Sequence, residues 1–190
     1  SSDVCSSDLH NCEYDMAKQL YPDNAKIVKV VNQIEKRIDE IAIQILNRHK
    51  TEKKPIILIC VLNGGFMFYS KLVEKLSSLD PKCDFIKVKS YEGQERTNLE
   101  IKLYNSLEVE DHHVYLIDDI YDSGVTMDAL KRHFIYEGAS SVQIVTLIKR
   151  AINEIDFPLG AIYGFEVTDE WVLGFGMDDE NHQKRSLPYI

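Results

Sequence analysis

HVYLIDDIYDSGVT, residues 113–126, is the stretch on which the reading of this chain turns. Val114, Tyr115, Leu116 and Ile117 form an unbroken apolar run, the pattern of a strand buried on both faces. Asp118 and Asp119 follow at once, and a third carboxylate comes at Asp122. Ser123, Gly124, Val125 and Thr126 then open a helix with Met127, Leu130 and Phe134 on its apolar face and Gly138 as its natural terminator. Gly124 lets the chain turn so that successive N–H groups share one concavity. The helix dipole and the hydroxyls of Ser123 and Thr126 add to its attraction for an anion. It is a phosphate nest without the Gly-Lys-Ser/Thr ending of a Walker loop. The adjacent acids suit the two neighbouring hydroxyls of a ribose, because an ionised carboxylate only accepts hydrogen bonds and each hydroxyl donates one. Solvated carboxylates beside an ordinary helix cap are the duller alternative, and the density of acids, glycine and hydroxyls weighs against it.

The same grammar repeats on both sides. Upstream, Val28, Val31, Ile34, Ile38, Ile41 and Ile45 recur at helical spacing, predicting a helix over residues 24–48 with Asp23 or Asn24 as cap. Residues 55–62 are a buried strand, broken by Asn63, Gly64 and Gly65, and residues 66–76 read as a helix. Residues 83–91 alternate as a second strand, and polar residues 92–110 read as a long mobile hairpin. Downstream, residues 142–148, 161–167 and 171–177 read as strands, the last running into Asp178, Asp179 and Glu180. Strands alternating with helices predict an α/β fold: a mainly parallel twisted sheet flanked by helices, joined by right-handed crossovers, with ligands at the carboxyl ends of the strands.

Composition bounds the function. With 44% hydrophobic and 28% charged residues in 190, the chain suits one globular domain over residues 13–190. Residues 1–12 read as a disordered or foreign tail. A net charge of −9 argues against nucleic acid as a partner, although backbone amides and one divalent cation hold a small phosphorylated ligand well enough. No apolar run is long enough for a membrane span, and the start has no secretory pattern. Cys5, Cys12, Cys60 and Cys83 include no Cys-x-x-Cys pair, which fits a reduced, cytoplasmic setting. His112 and His113 have no further metal ligand at useful spacing and read as the start of a strand.

Residues 116–126 resemble the phosphoribosyl pyrophosphate (PRPP) motif of type I phosphoribosyltransferases: apolar residues, two acids, two mostly apolar residues, Asp, Ser/Thr, Gly, any residue, Thr. Four more segments, in the right order, are similar to the hypoxanthine-guanine branch of that family. They are Val61 to Gly65, the triplet Lys89, Ser90 and Tyr91, the strand end at Lys149 and Arg150, and residues 165–178. The resemblance implies the type I fold, with a small hood from the terminal segments, and a purine salvage activity that uses PRPP and Mg2+. Asp118 and Asp119 would hold the ribose hydroxyls directly or through the metal, with Asp178 as an outer metal ligand. Asp122 would take the proton of purine N7. The amides and hydroxyls of Asp122, Ser123, Gly124, Val125 and Thr126 would bind the 5′-phosphate. Lys149 would donate to purine O6, Trp171 would stack on the base, and the Val172 backbone would read its edge. Asn63, Gly64 and Arg185 would meet pyrophosphate, and Ser90 and Tyr91 would form a lid. The resemblance also implies a homodimer or homotetramer. The chain departs from the family pattern at Asn63 and Lys87, where lysine and arginine are expected, and at Val125, where lysine is frequent. One extra residue separates Asp178 from Arg185. A non-catalytic PRPP sensor is the second reading, but the basic surface or added domain it calls for is not visible in the sequence.

Overall fold

The computed structural model describes residues 29–52, 54–90, 99–103, 108–151 and 157–190. The suggested tail at residues 1–12 and the proposed caps Asp23 and Asn24 lie outside them. Six strands form one sheet: β1 (Ile56–Leu62), β2 (Lys82–Ser90), β3 (Leu99–Leu103), β4 (His113–Tyr121), β5 (Ser141–Arg150) and β6 (Ile162–Val167). Their order is β3-β2-β1-β4-β5-β6, with β2, β1, β4, β5 and β6 mutually parallel and β3 an antiparallel edge. Among the described residues three α-helices flank it: α1 (Val31–Arg48), α2 (Phe66–Lys75) and α3 (Val125–Tyr136). This is the mainly parallel α/β sheet that the sequence predicts.

Period-two alternation divides the core. Leu58 and Cys60 of β1, with Tyr115 and Ile117 of β4, pack beneath α1 and α2, meeting Ile34, Ile38, Ile41, Ile45, Phe68 and Leu72. Ile57, Ile59 and Val61, with Val114 and Leu116, face α3 through Met127, Leu130 and Phe134. Both faces of β1 and β4 are thus covered, which is why these strands are continuous apolar runs. Arg37 on α1 also ties the helix to β6, donating to the Gly164 carbonyl at 2.6 Å and the Tyr163 carbonyl at 3.0 Å.

The topology places the site. The chain leaves β1 through α2 to reach β2 on one side, while β4 lies on the other side of β1. The direction of winding therefore reverses between β1 and β4. Loops leaving their carboxyl ends diverge and open a crevice, the place where open α/β sheets bind ligands.

Three expectations need correction. The helix expected over residues 24–48 begins, among the described residues, at Val31. Val30 is extended (φ −85°, ψ 160°), and Lys29 N–H and C=O are both spent on Ile190, at 2.9 and 3.1 Å, so that backbone is committed to the C-terminus. The Gln33 side chain satisfies the Val30 N–H at 3.2 Å. Residues 171–177 are not a strand: Gly174, Phe175 and Gly176 have φ of 94°, 44° and 106°, and the Gly174–Met177 pairing is an isolated bridge. Val172, Phe175 and Met177 are buried because this turn folds against the loop after β1. Finally, β4 does not stop at Ile117. Asp118 pairs with Thr146, Ile120 with Ile148 and Tyr121 with Lys149, so the acid pair lies inside the strand. Gly138, at φ 91°, does end α3, with the Ala139 N–H returning to the Phe134 carbonyl at 3.0 Å.

Ile38 lies on α1 with no exposed surface. Ile38→Ala is expected to cost about 2–5 kcal/mol, read as a lower urea midpoint with an unchanged slope. A change below about 0.5 kcal/mol would mean that α1 is not part of the cooperative core.

Candidate active site

Asp119 lies at the carboxyl end of β4 with 7% of its surface exposed, and its carboxylate occupies the space above Gly64. A Cβ on Gly64 would stand 2.0 Å from Asp119 Oδ2, so any side chain there would evict the acid. Gly65 is equally hemmed in, its Cβ position 2.7 Å from the Val61 carbonyl and 2.9 Å from the Ile117 carbonyl. The glycines of this loop are therefore a steric requirement of the crevice and more than a tight turn. Gly176 approaches from the other side, its Cβ position 2.1 Å from the Gly64 carbonyl. The turns at residues 63–65 and 174–176 and the strand end at Asp118 and Asp119 thus close on one another.

Arg185 completes this cluster. Its Nη1 donates to the Gly176 carbonyl at 2.6 Å, its Nη2 donates to Asp178 Oδ2, and its own carbonyl accepts from Gly176 N–H at 2.9 Å. The extra residue between Asp178 and Arg185 is absorbed by a turn in which Asp179 Oδ1 accepts from both Asn181 and Gln183 N–H at 2.9 Å. Arg185 thus lies beside Gly176 and Asp178 despite the altered spacing. Burial pushes the Asp178 carboxyl up, but the hydrogen bond from His182 and the charge of Arg185 outweigh it and hold it below the ordinary carboxylate range.

The acid pair behaves in the opposite way. Burial, and then the charge of Asp119, push the Asp118 carboxyl well above its ordinary range. Burial also raises Asp119, against hydrogen bonds from Asp118 and the Ile120 N–H and the charge of Arg185. Two adjacent acids are held part-desolvated beside one arginine. The pair also reaches Cys60, whose thiol is pushed up to about 12 by burial and by these carboxylates, so that it is inert as a nucleophile.

The loop after β4 forms the opposite wall. Gly124 is left-handed (φ 76°), and its Cβ position falls 2.3 Å from Tyr121 Oη. The first bond of α3 runs from Asp128 N–H to the Gly124 carbonyl at 2.9 Å. The N–H groups of Val125, Thr126 and Met127 precede it, as at any helix start, and face the crevice end of the helix. Asp122 is 66% exposed and its Oδ1 accepts from Arg150 Nε at 2.9 Å. Arg150 is the residue that sequence reasoning passed over. Its guanidinium also donates to the Thr168 and Glu170 carbonyls at 3.2 and 2.8 Å, so one cation fixes Asp122 and the loop that leads to Trp171. The only signal was its place beside Lys149 at a strand end.

Chain comparison agrees with this geometry. The model of the phosphoribosyl transferase domain matches residues 25–180. The chain belongs to the phosphoribosyltransferase family. It is 34% identical over 160 residues to the hypoxanthine-guanine-xanthine phosphoribosyltransferase of Tritrichomonas foetus, covering 83% of this chain and 85% of that one. Identity to the hypoxanthine-guanine phosphoribosyltransferase of Bacillus subtilis is 31% over 170 residues, covering 88% and 92%. Among solved structures, the hypoxanthine phosphoribosyltransferase of Trypanosoma cruzi in complex with the product IMP superposes with a TM-score of 0.79 at 26% identity, covering 89% of this chain and 94% of that one.

Not every expected residue of this phosphoribosyltransferase converges on the crevice. Asn63, Gly64, Asp118, Asp119, Asp178 and Arg185 come together, and Asp122, Ser123, Gly124, Val125 and Thr126 form the facing loop. Lys149 is engaged elsewhere: its ammonium pairs with Glu166 at 3.0 Å and lies over the Tyr163 ring at 5.1 Å. Trp171 is 73% exposed and so is not a core aromatic, whereas Val172 is buried. Ser90 is the last residue of β2, paired with Leu99, and Tyr91 lies outside the described residues.

The raised acids fix the sign of a stability effect. An unfolded aspartate titrates near 3.9, and the native pair titrates higher. Between those values the native state binds more protons than the unfolded one, so stability falls as pH rises through the window. The ligand-free protein carries the full penalty once both acids are ionised. Asp119→Asn is expected to raise the Tm at neutral pH, by about 2–4 °C for each kcal/mol relieved, and to flatten the acid limb of the Tm–pH curve. A Tm below that of the parent protein would show that the acid pair is not strained.

Proposed function

We propose that this phosphoribosyltransferase works in purine salvage. In this reading it transfers the 5-phosphoribosyl group of PRPP to a 6-oxopurine (hypoxanthine, guanine or xanthine) and releases pyrophosphate and the nucleoside 5′-monophosphate. The observation that carries the reading is the meeting of the Asp118–Asp119 pair with the Gly64 loop on one side and the anion nest of residues 122–126 on the other. An acid pair between two anion-binding loops matches a ribose that carries a phosphate at one end and a pyrophosphate at the other.

The roles follow from residue chemistry. The amides of Val125 and Thr126, with the Ser123 and Thr126 hydroxyls, take the 5′-phosphate at the start of α3. Asp118 and Asp119 accept from the ribose hydroxyls. The Asn63 and Gly64 loop and Arg185 take the pyrophosphate. The donor set suits magnesium: Asp118, Asp119 and Asp178 offer hard carboxylate oxygens, and the repulsion within the raised pair is what a divalent cation relieves. Bound there, magnesium would neutralise charge on the departing pyrophosphate. As the C1–oxygen bond breaks, the electron pair leaves with pyrophosphate and the purine nitrogen bonds to C1. The purine N7 proton passes to Asp122, whose Oδ2 remains available while Arg150 holds Oδ1. The exposed Trp171 ring offers a stacking face, and the buried Val172 backbone lines the base edge. Lys149 reaches purine O6 by exchanging Glu166 for the base, and an ammonium has only donors to offer, which selects oxo over amino purines. The same reading places the enzyme in the cytoplasm as a homodimer or homotetramer. Among the described residues no helix is long and apolar enough to cross a membrane.

Incubation with PRPP, magnesium and hypoxanthine should yield IMP and pyrophosphate in equal amounts. PRPP binding without turnover on any purine would instead favour the sensor. Asp122→Asn should lower kcat by about 10²- to 10⁴-fold with little change in PRPP affinity, and turnover near the parent value would remove Asp122 from proton transfer. Lys149→Met should reduce the ratio of kcat/KM for hypoxanthine over adenine by at least about tenfold, the worth of a hydrogen bond to a charged group. An unchanged ratio would place Lys149 away from O6.

A further inference from the structure

At the other end of β4, away from the crevice, two histidines and a glutamate converge. His49 follows α1, Glu52 lies just beyond it, and His113 opens β4; one ligand atom from each lies within 4.8 Å of the others. The residues come from two distant parts of the chain, so no local spacing marks them, and His113 alone reads as the start of a strand.

The second nitrogens of both rings are already engaged. His49 Nε2 lies 2.6 Å from Tyr115 Oη, and His113 Nδ1 lies 2.7 Å from Ser141 Oγ. Hydroxyl partners on the outer nitrogens hold the ring orientation, and each can accept from an N–H there, which is the arrangement that supports metal-ligating histidines. It leaves His49 Nδ1 and His113 Nε2 facing inward. His49 is only 8% exposed, and its Nδ1 is buried with no hydrogen-bond partner. His113 Nε2 is also buried and faces Glu52 Oε2 at 3.0 Å without hydrogen-bond alignment. Buried imidazole nitrogens left unpaired are uncommon and call for an occupant.

We propose that His49 Nδ1, His113 Nε2 and the Glu52 carboxylate form a site for a divalent transition metal of the zinc class. Two imidazoles and one carboxylate are a borderline N2O donor set, suited to zinc and poorly suited to magnesium, which prefers oxygen. Metal bonds of about 2.0–2.1 Å in tetrahedral geometry hold donors about 3.3 Å apart. The His113–Glu52 separation already meets that value, and the wider pairs close by side-chain adjustment of Glu52, which is half exposed. Burial, and then the neighbouring His113, lower the pKa of His49, keeping its imidazole in the neutral form that ligation requires. Arg48, the adjacent cation, reaches the Gly160 carbonyl at 3.5 Å, and its charge also acts on Tyr115 and His49, where it adds to the lowering of the His49 pKa. Three protein ligands leave one position for water. The site would staple the end of α1 to the sheet. Asp118 is five residues along β4, about 17 Å away at 3.3 Å per residue, so the metal is structural and separate from the magnesium of the crevice.

Titration of the full-length protein with Co2+ in the presence of excess Mg2+ tests this. The account expects one binding event with the visible absorption of a four- or five-coordinate site and no near-ultraviolet thiolate band. Affinity should fall at least about 10²-fold in His113→Gln and in Glu52→Gln, the latter at a half-exposed position that tolerates change. It should be unaltered in Asp178→Asn and Cys83→Ser, and Zn2+ should raise the Tm of the parent protein but not of the two ligand variants. No visible band in the parent protein, or a band that survives both ligand substitutions, would overturn the proposal.

Discussion

The confinement of two carboxylates at the end of a central strand is the constraint on which this molecule is organised. Asp118 and Asp119 sit where burial and mutual repulsion disfavour their charge. Much of the surrounding structure serves to keep them there. Gly64 and Gly65 exist as glycines because the acid and the neighbouring carbonyls leave no room for a Cβ. Gly176 lets a second loop close over the first, and Arg185 brings a compensating charge without fully neutralising the pair. A ligand-free protein that retains such strain is less stable than the same scaffold could be. Stability is given up at the site, and the apolar layers beneath α1, α2 and α3 carry it.

The fold supplies the rigidity this requires. Because β1 and β4 are neighbours at the point where winding reverses, their two loops diverge from a shared floor of backbone hydrogen bonds. Asp118 is itself part of that floor, paired in register with Thr146 of β5. The anion nest is not, since it begins only where the strand ends at Tyr121. In the proposed function these parts divide the labour: the strand would fix the sugar, and the helix start and glycine turn would take the charges at either end. Arg150 joins Asp122 to the loop before Trp171.

Much of this was legible in the sequence, because the signals are local. Continuous apolar runs marked β1 and β4, the pair Gly64–Gly65 and the single Gly124 marked the turns, and the density of acids and hydroxyls after Ile117 marked the crevice. Other features depend on contacts between distant segments, which periodicity does not encode. Residues 171–177 look like a strand because they are rich in apolar residues, yet Val172, Phe175 and Met177 are buried by a turn with three positive φ angles. The start of α1 is set by Ile190, at the far end of the chain. Lys149 lies at the expected strand end, but the partner that holds it, Glu166, belongs to another strand. The histidine pair at His49 and His113 was invisible for the same reason.

The central claim concerns the protonation of the acid pair, and carbon-13 NMR of the aspartate carboxyl groups measures it directly. Spectra followed against pH, without ligand and with Mg2+ and PRPP bound, would be assigned to Asp118 and Asp119 by single asparagine substitutions. The account predicts two carboxyls that titrate above the ordinary aspartate range in the free protein and move down when the ligands bind. Two carboxyls that titrate in the ordinary range, or that do not respond to Mg2+ and PRPP, would contradict it.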